Sequence, residues 1–319
     1  MQKDKCVLVF GEVLVDLFLN SVTYRDAGTP EFNCVGLGGG APCNVAAYLS
    51  HLGDEVSFMG SLADDQIAAE LQKMLELRGI NTERCIIHPN TRSPLAVVMP
   101  LPGGDREFRL YLEGSAVEAI SPQHFDSDSF QDASWFHFGS VLLAFPASKL
   151  ATKAILAKLA ASNVICSYDI NIRPDIWRES KVDKAVLLDI LSHVDVLKLS
   201  EEDFAWIQAN LAPDLNAPQD LLRYGCSLIA YTQGEQGAAL ITSGQAVQIP
   251  APKVQVVDAT GAGDSYMAGL IHGFRKLGCG DAESLQARLT EENLLKCGEY
   301  ANQCAAIALS QKGALPPLV

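Results

Sequence analysis

The residues with the clearest chemical potential are DATGAGD at positions 258–264. Gly261, Ala262 and Gly263 leave their backbone N–H groups uncovered, and apolar residues at helical spacing follow them at once. Uncovered N–H groups at a helix N-terminus bind anions, because they and the helix dipole both favour negative charge. Asp264 therefore stands where an anion should bind. The following apolar residues are Met267, Leu270, Ile271 and Phe274.

This arrangement of amides and a carboxylate suits the transfer of a phosphoryl group to a hydroxyl. The amides would stabilise the negative charge on the moving group. Asp264 would accept the proton of the attacking alcohol. The alternative is that Asp264 only caps the helix, since aspartate is a preferred N-cap residue.

Two further groups of polar residues lie in or beside apolar strands. Asp16 interrupts VLVDLFL, where a buried carboxylate is costly without partners and sugar hydroxyls would be suitable donors. Asp169, Asn171 and Arg173 alternate directly after an apolar run that ends at Tyr168, so they share one face at the carboxyl end of a strand. In both places a solvated strand face is the alternative interpretation.

A second glycine cluster, GLGGGAPCN at positions 36–44, also fits the dinucleotide pattern G-x-G-x-x-A. That pattern should follow the first strand directly and should lead to an acidic residue after the second strand. Here the first apolar run lies far upstream, Asp54 and Glu55 precede the second strand, and Pro42 would fall in the turn. The sequence therefore disfavours a dehydrogenase.

Composition narrows the class of protein. The 319 residues are 48% apolar, enough to bury a substantial core, and the net charge of −14 argues against a nucleic-acid partner. Nine cysteines occur without a C-x-x-C pair, which favours reduced thiols in the cytoplasm. No apolar run is long enough to span a bilayer, so we expect no membrane partner.

The elements that must position these residues alternate between short apolar runs and helical patterns. This alternation predicts a mostly parallel sheet with helices on both faces. Residues 13–35 and 94–112 instead alternate as strands without helices between them. Strands are predicted at 6–10, 56–59, 135–138, 164–168, 194–197 and 228–232, with helices at 44–52 and 66–78.

The run DATGAGDSYMAG resembles the C-terminal signature D-T-T-G-A-G-D-x-F-x-G-G of the ribokinase-like (PfkB) carbohydrate kinases. The 36–44 cluster is similar to their N-terminal motif G-G-x-x-x-N-x-A. The departures Ala259, Tyr266 and Ala268 leave the Gly-Ala-Gly amides and the final aspartate in place. The resemblance implies a ribokinase-like three-layer α/β/α sandwich with a mostly parallel central sheet, formed by residues 1–319 as a single kinase domain. It also implies that the strands at 13–35 and 94–112 form a small β-sheet lid, which covers the sugar and makes a homodimer contact.

The resemblance also implies roles for individual residues. Asp264 would be the general base, with the Gly261, Ala262 and Gly263 amides as the anion hole. The sugar would be bound by Asp16, Gly39, Gly40, Asn44 and Arg173. ATP would be bound by Asn171, Lys198, Thr232, Gly234, Gly237 and Asn302. A monovalent cation such as K⁺ would be held by Asp258, Thr260 and Gly313, and Mg²⁺ would be organised through water by Asp203, which replaces the usual glutamate of K-x-(N/S)-x-x-E.

The spellings GGAP and D-x-N-x-R are the fructokinase-like versions of their motifs and favour phosphorylation of fructose to fructose 6-phosphate. Acceptors such as 2-keto-3-deoxygluconate, aminoimidazole riboside or another nucleoside stay open. More remote alternatives are a non-catalytic sugar-binding protein and an NAD-dependent dehydrogenase. One family turn, G-x-D-x-x-G, has lost both glycines to Ala63 and Ala68, and we expect it to be reshaped.

Overall fold

The computed structural model describes residues 5–25, 28–100, 106–126, 128–179 and 184–318. In chain order the strands are β1 (Cys6–Phe10), β2 (Leu14–Arg25), β3 (Thr29–Gly39), β4 (Val56–Ala63), β5 (Asn81–His88), β6 (Leu95–Pro100), β7 (Arg106–Tyr111), β8 (Ala133–Gly139), β9 (Ile165–Asp169), β10 (Val196–Ser200), β11 (Leu228–Thr232), β12 (Ala238–Ile241) and β13 (Ala246–Ile249). The helices are α1 (Ala41–His51), α2 (Gln66–Leu77), α3 (Pro146–Leu159), α4 (Pro174–Glu179), α5 (Lys184–Leu191), α6 (Glu201–Asn210), α7 (Ala262–Lys276), α8 (Ala282–Arg288) and α9 (Glu291–Leu309).

Nine of these strands form the central sheet, in the order β13-β12-β11-β10-β9-β8-β1-β4-β5. The pairs from β11 to β5 are parallel, and the pairs β11–β12 and β12–β13 at one edge are antiparallel. Parallel strands need crossover connections, and the intervening helices supply them. The predicted mostly parallel α/β sheet is confirmed.

Apolar side chains bury both faces of the sheet. In β1, Leu8 and Phe10 belong to one core cluster while Val7 and Val9 belong to the other, because successive side chains of a strand point to opposite faces. Helices α3, α5 and α6 pack on the first face, and α1, α2, α7 and α9 pack on the second. These three layers are the predicted α/β/α sandwich.

A second, four-stranded sheet has the order β3-β2-β6-β7. It matches the two strand-only regions of the sequence, which were predicted to form a small sheet. Its strand β3 extends to Gly39, four residues beyond the predicted boundary at 35, because Gly36 to Gly39 continue the antiparallel ladder with β2. Four of the nine residues of the second glycine cluster, 36–39, are therefore strand.

The sequence placed several element ends slightly wrongly. Helix α1 begins at Ala41 and not at residue 44, because Pro42 fits the first turn of a helix, where its missing N–H is not needed. Strand β10 spans Val196–Ser200, two to three residues later than predicted. The turn that has lost its family glycines is built around Asp65, whose carboxylate caps α2 by accepting from the Ala68 N–H and also accepts from the Ser93 N–H, both at 2.8 Å.

In the part of the chain that the structure describes, no helix is both long and apolar enough to cross a membrane.

Candidate active site

A cavity of about 580 Å³ opens at the carboxyl ends of β1, β8, β9 and β10, beside the small sheet. Open parallel sheets bind ligands at this edge. The central sheet contributes Asp169 and Lys198, and the small sheet contributes Leu14, Asp16, Ala96 and Leu110. The 258–264 turn closes a third side.

Helix α7 begins directly behind this turn. Gly261 is its N-cap residue and has a left-handed backbone with φ of 80°; a Cβ there would lie 2.8 Å from the backbone oxygen of Ala314. Because the glycine caps without a side chain, the capping interpretation of Asp264 is wrong: Asp264 occupies the third position of the helix. The amides of Gly263 and Asp264 have no acceptor among the described residues, whereas the Ala262 N–H, which was predicted to be uncovered, makes a long bond of 3.4 Å to the Ala259 backbone oxygen.

Asp264 is a buried residue, 7% exposed, and it lines the cavity. Its Oδ2 accepts a hydrogen bond of 2.7 Å from Asn44 Nδ2. Burial raises the pKa of Asp264, although Asn44, Lys198 and Arg173 act in the opposite direction. A carboxylate with a raised pKa is a better proton acceptor near neutral pH.

Lys198 brings a cation to the same turn. Its Nζ lies 3.0 Å and 2.9 Å from the two carboxylate oxygens of Asp169. A Cβ placed on Gly263 would lie 2.8 Å from that Nζ, so the glycine leaves room for the ammonium in this position. Burial alone would lower the pKa of Lys198, but the charges of Asp169 and Asp203 outweigh it and hold the pKa above its usual value.

Two more carboxylates face the cavity. Glu12 follows β1, and burial raises its pKa to about 7. Burial and the charge of Asp264 raise the pKa of Asp16 to about 6. Arg173 is the cation that opposes the shift at Glu12, Asp16 and Asp264 alike, so its guanidinium group lies within electrostatic reach of all three.

The strand bearing Asp16 does not turn that residue to solvent. Asp16 lines the cavity, and a Cβ on Gly39 would lie 2.2 Å from its Oδ2. Gly40 has φ of 108°, and a Cβ there would lie 2.7 Å from the backbone oxygen of Glu12. Both glycines therefore allow β1, β2, β3 and α1 to meet closely at the cavity.

Asn171 and Arg173 leave the end of β9 and enter the cavity wall. Asn171 has a positive φ of 36°, which turns the chain sharply after Asp169. Its side-chain oxygen accepts from Arg173 Nη1 at 2.7 Å, which fixes the guanidinium group.

The structure brings most of the predicted site residues together, but not all. Those that line the cavity are Asp16, Gly40, Asn44, Asn171, Arg173, Lys198, Asp258, Thr260, Gly261, Ala262, Gly263 and Asp264. Those outside its lining are Gly39, Asp203, Thr232, Gly234, Gly237, Asn302 and Gly313.

Several of the residues outside the lining have clear contacts of their own. Both carboxylate oxygens of Asp203 accept backbone N–H groups, from Ile172 at 2.7 Å and Ser200 at 2.9 Å. The side-chain amide of Asn302 donates to the backbone oxygens of Ile249 and Pro250 at 3.2 Å and 3.1 Å. These contacts anchor the backbone around the cavity.

The loop predicted to hold a monovalent cation is organised by Asp258. Its Oδ1 accepts from the N–H and hydroxyl of Thr260 at 3.0 Å and 2.7 Å, and its Oδ2 accepts from the Gly313 N–H at 3.1 Å. Carboxylate, hydroxyl and carbonyl oxygens suit hard cations. In the described part of the chain, no cluster of three or more His, Cys, Asp or Glu side chains forms a metal site.

Sequence reasoning missed Glu12 and His137. The available signal for Glu12 was its position in the sequence, two residues after the first strand. His137 interrupts the buried strand β8, and its Nδ1 shares a hydrogen bond of 2.9 Å with the Ser167 hydroxyl. Burial and the charge of Lys198 lower the pKa of His137 to about 3, so it is neutral at physiological pH.

The comparisons with known protein families, sequences and structures agree with one another. The model of the pfkB family of carbohydrate kinases matches residues 4–319. Fructokinase-2 of Oryza sativa subsp. japonica is 31% identical over 312 residues, covering 98% of this chain and 90% of the relative. The solved structure of Xylella fastidiosa fructokinase with bound ATP has a TM-score of 0.87 at 27% identity, covering 98% of this chain and 94% of that chain. Salmonella enterica aminoimidazole riboside kinase, complexed with aminoimidazole riboside and an ATP analog, has a TM-score of 0.78 at 25% identity, covering 98% and 96%.

Proposed function

The chain belongs to the pfkB family of carbohydrate kinases, and we propose that it transfers the γ-phosphoryl group of ATP to fructose, giving fructose 6-phosphate. The observation that carries this proposal is the position of Asp264. Its carboxyl group is buried at the cavity, beside uncovered amides and the Lys198 ammonium. Neither a sugar-binding protein nor a dehydrogenase requires a base beside an anion cradle.

In this mechanism Asp264 accepts the proton of the sugar hydroxyl as its oxygen forms a bond to the γ-phosphorus. The bond from that phosphorus to the β,γ-bridging oxygen breaks, and ADP leaves. The amides of Gly261, Ala262 and Gly263 donate to the oxygens of the phosphoryl group, where negative charge must be stabilised. The raised pKa of Asp264 makes the proton transfer more favourable.

The sugar side of the cavity supplies hydroxyl partners. Asn44 donates through Nδ2 to Asp264, while its Oδ1 is buried without a partner among the described residues. An unpaired buried acceptor is costly, and a sugar hydroxyl would satisfy it. Asp16 offers a charged acceptor and Arg173 a charged donor at the same wall of the cavity. Gly39 and Gly40 have no side chain, which would let the backbone lie close to the sugar.

The nucleotide and its ions would occupy the other side of the turn. We assign Asn171, Lys198, Thr232, Gly234, Gly237 and Asn302 to ATP, Asp203 to Mg²⁺ through water, and Asp258, Thr260 and Gly313 to K⁺. Bound Mg²⁺ would neutralise charge on the phosphates. The oxygen atoms around Asp258 are suitable ligands for K⁺. Asp203 and Asn302 hydrogen-bond to backbone groups, so their proposed roles are indirect: each holds a stretch of backbone in place.

The small sheet would act as the lid, and its outer face favours a second copy of the chain. Val22 and Tyr24 on β2 and Phe32 on β3 share one face of this sheet and are exposed by 42%, 70% and 61%. Apolar patches of this kind mark protein contacts, so we propose a homodimer through the lid, which sedimentation velocity would detect. We also propose a cytoplasmic location, which suits nine free cysteines.

A substrate panel tests the function. Purified protein is given MgATP with fructose, 2-keto-3-deoxygluconate, aminoimidazole riboside or a nucleoside, and ADP release is measured by a coupled assay. We expect the highest kcat/KM with fructose. Fastest turnover of another acceptor would overturn the fructose assignment, and measurable sugar binding with no ADP from any acceptor would favour a non-catalytic binding protein. Binding of NAD by fluorescence titration would reopen the dehydrogenase alternative.

A further inference from the structure

The ion pair between Asp169 and Lys198 is unusual for its place in the fold. The two residues lie directly opposite each other on the adjacent parallel strands β9 and β10. Their side chains are 4% and 6% exposed, so both charges are almost fully removed from bulk water. The cost of removing both charges from water can exceed what their attraction returns, and apolar residues in the same place are often at least as stable. Stability of the sheet is therefore a weak reason for its presence.

The geometry points instead to the cavity. An ammonium has three N–H donors, and two of those on Lys198 are directed to the two oxygens of Asp169. No other acceptor among the described residues contacts Nζ. Because a Cβ on Gly263 would lie only 2.8 Å from this atom, the ammonium lies against Gly263 at the start of α7, the residue that carries one of the uncovered amides.

We propose that Asp169 is a positioning residue, which holds the Lys198 ammonium against Gly263 so that its remaining N–H donates to the phosphoryl group during transfer. This inference rests on the proposed function. A cation fixed beside the amides stabilises negative charge on the transferring group without any rearrangement of the site. Catalysis of phosphoryl transfer depends mainly on such preorganised electrostatic stabilisation and on positioning.

Asp169 also determines which carboxylate Lys198 pairs with. Asp264 lies within electrostatic reach of Lys198. Without the two hydrogen bonds to Asp169, the flexible lysine side chain could move to Asp264 and neutralise the base. Asp169 therefore keeps the cation and the base apart, and each stays available for its own part of the reaction.

The test compares Asp169→Asn, Lys198→Met and the double variant with a matched control, Asp195→Asn. Asp195 precedes β10 at the amino ends of the same two strands, and its carboxylate accepts the Cys166 N–H at 2.7 Å, far from the cavity. We expect Lys198→Met to lower kcat about 100-fold and Asp169→Asn about 10- to 100-fold. The double variant should be no slower than Lys198→Met, because Asp169 acts through the lysine. Asp195→Asn should keep the wild-type kcat.

The pH profile adds a measurement that a merely structural role would not change. Burial continues to lower the pKa of Lys198 when the charge of Asp169 is removed, while the charges of Asp203 and Asp264 still raise it. Asp169→Asn should therefore lose activity at a lower alkaline pH than the wild type does. Lys198→Met, which has no titrating group there, should show no such loss. A wild-type rate and profile in Asp169→Asn, or additive losses in the double variant, would overturn the inference.

A binding measurement separates this inference from the proposed function. The Kd values of a non-hydrolysable ATP analogue and of ADP are measured by calorimetry for wild type and Asp169→Asn. We expect the analogue to lose affinity about 10-fold and ADP to be unaffected, since only the analogue carries a γ-phosphate for Lys198. If wild type phosphorylates no acceptor, the proposed function fails but this comparison still decides the role of Asp169. Equal losses for both nucleotides, or none, would contradict it.

Discussion

Two buried carboxylates lie at the two ends of helix α7, in opposite situations. At the C-terminal end, Asp54 accepts from His272 Nδ1 at 2.8 Å and from Arg275 Nε at 2.9 Å, so each of its oxygens has a partner from the helix. At the N-terminal end, Asp264 accepts a single bond from the neutral amide of Asn44. The first carboxylate is satisfied by the fold, and the second is left for a ligand.

The pKa values of the two carboxyl groups, Asp54 and Asp264, shift in opposite directions. Burial would raise the pKa of Asp54, but hydrogen bonds from His272 and Arg275 outweigh it and hold the pKa below its usual value. Burial dominates at Asp264 and raises its pKa. A fully paired buried charge belongs to the structure, whereas an incompletely paired one beside a cavity is typical of an active site.

The largest expected effect is on catalysis at the N-terminal end. Asp264→Asn removes the proton acceptor and keeps the shape of the side chain, so kcat should fall by roughly 10²–10⁴ while fructose binding is largely retained. Steady-state kinetics and calorimetry measure the two quantities. Denaturant unfolding should show no loss of stability, because the substitution removes a buried charge rather than a satisfied ion pair.

The next effect is on stability at the C-terminal end. Asp54→Asn leaves the Arg275 guanidinium, whose side chain is only 13% exposed, without its counter-charge, and the free energy of unfolding should fall by about 3–5 kcal/mol. The folded variant should keep its kcat, since Asp54 does not line the cavity. Denaturant titration at neutral pH gives the first value. Unchanged stability would mean that the Asp54 cluster does not support the fold as described.

A smaller effect concerns pH and Glu12, another cavity carboxylate whose pKa is raised. In the folded state Glu12 holds its proton up to about pH 7, but in the unfolded chain only to about 4.5. The folded protein therefore binds more protons in this interval, and Glu12 makes stability decrease as the pH rises through it. Asp54 acts oppositely, since its lowered pKa gives stability that is lost in acid. Glu12→Gln should raise Tm at pH 8 relative to wild type and have little effect at pH 4; the reverse pattern would contradict the assignment.

The smallest predicted effect comes from a comparison of alanine substitutions at two glycines of α7. In Gly263→Ala the new Cβ displaces the Lys198 ammonium, and kcat/KM should fall about 10-fold with little change in Tm, because the lysine end can move. In Gly273→Ala the new Cβ meets Cys297 at 3.2 Å, and the gain in helix propensity of up to about 1 kcal/mol offsets this crowding. Its kinetics should match wild type. Equal kinetic effects from both substitutions would show that the Lys198 contact is unimportant.

Local patterns predicted what depends on local sequence. The alternation of strands and helices, the extra strands at 13–35 and 94–112 and the turn at 258–264 were all visible, because each is encoded in hydrophobic spacing or glycine content within a few residues. That the extra strands form a small sheet was implied only by the family resemblance. The end of β3 at Gly39 was not visible, since it depends on pairing with β2. The contact between Lys198 and Gly263 was also beyond reach, because it requires the spatial relation of β10 to α7, two elements far apart in the chain.

Glu12 illustrates the same limit in the site itself. In the sequence it only interrupts an apolar stretch, and its burial against the cavity follows from how β1 meets the start of α1. The place of Asp264 at the cavity could be predicted, because the glycine turn beside it in the structure also precedes it directly in the sequence.

The central claim is that Asp264 accepts the hydroxyl proton while the turn holds the phosphoryl group. Single-turnover transfer from labelled ATP to saturating fructose, measured by rapid quench in wild type, Asp264→Asn and Asp54→Asn, tests it most directly. We expect transfer at least 100-fold slower in Asp264→Asn and unchanged in folded Asp54→Asn. Transfer at the wild-type rate in Asp264→Asn would contradict the account.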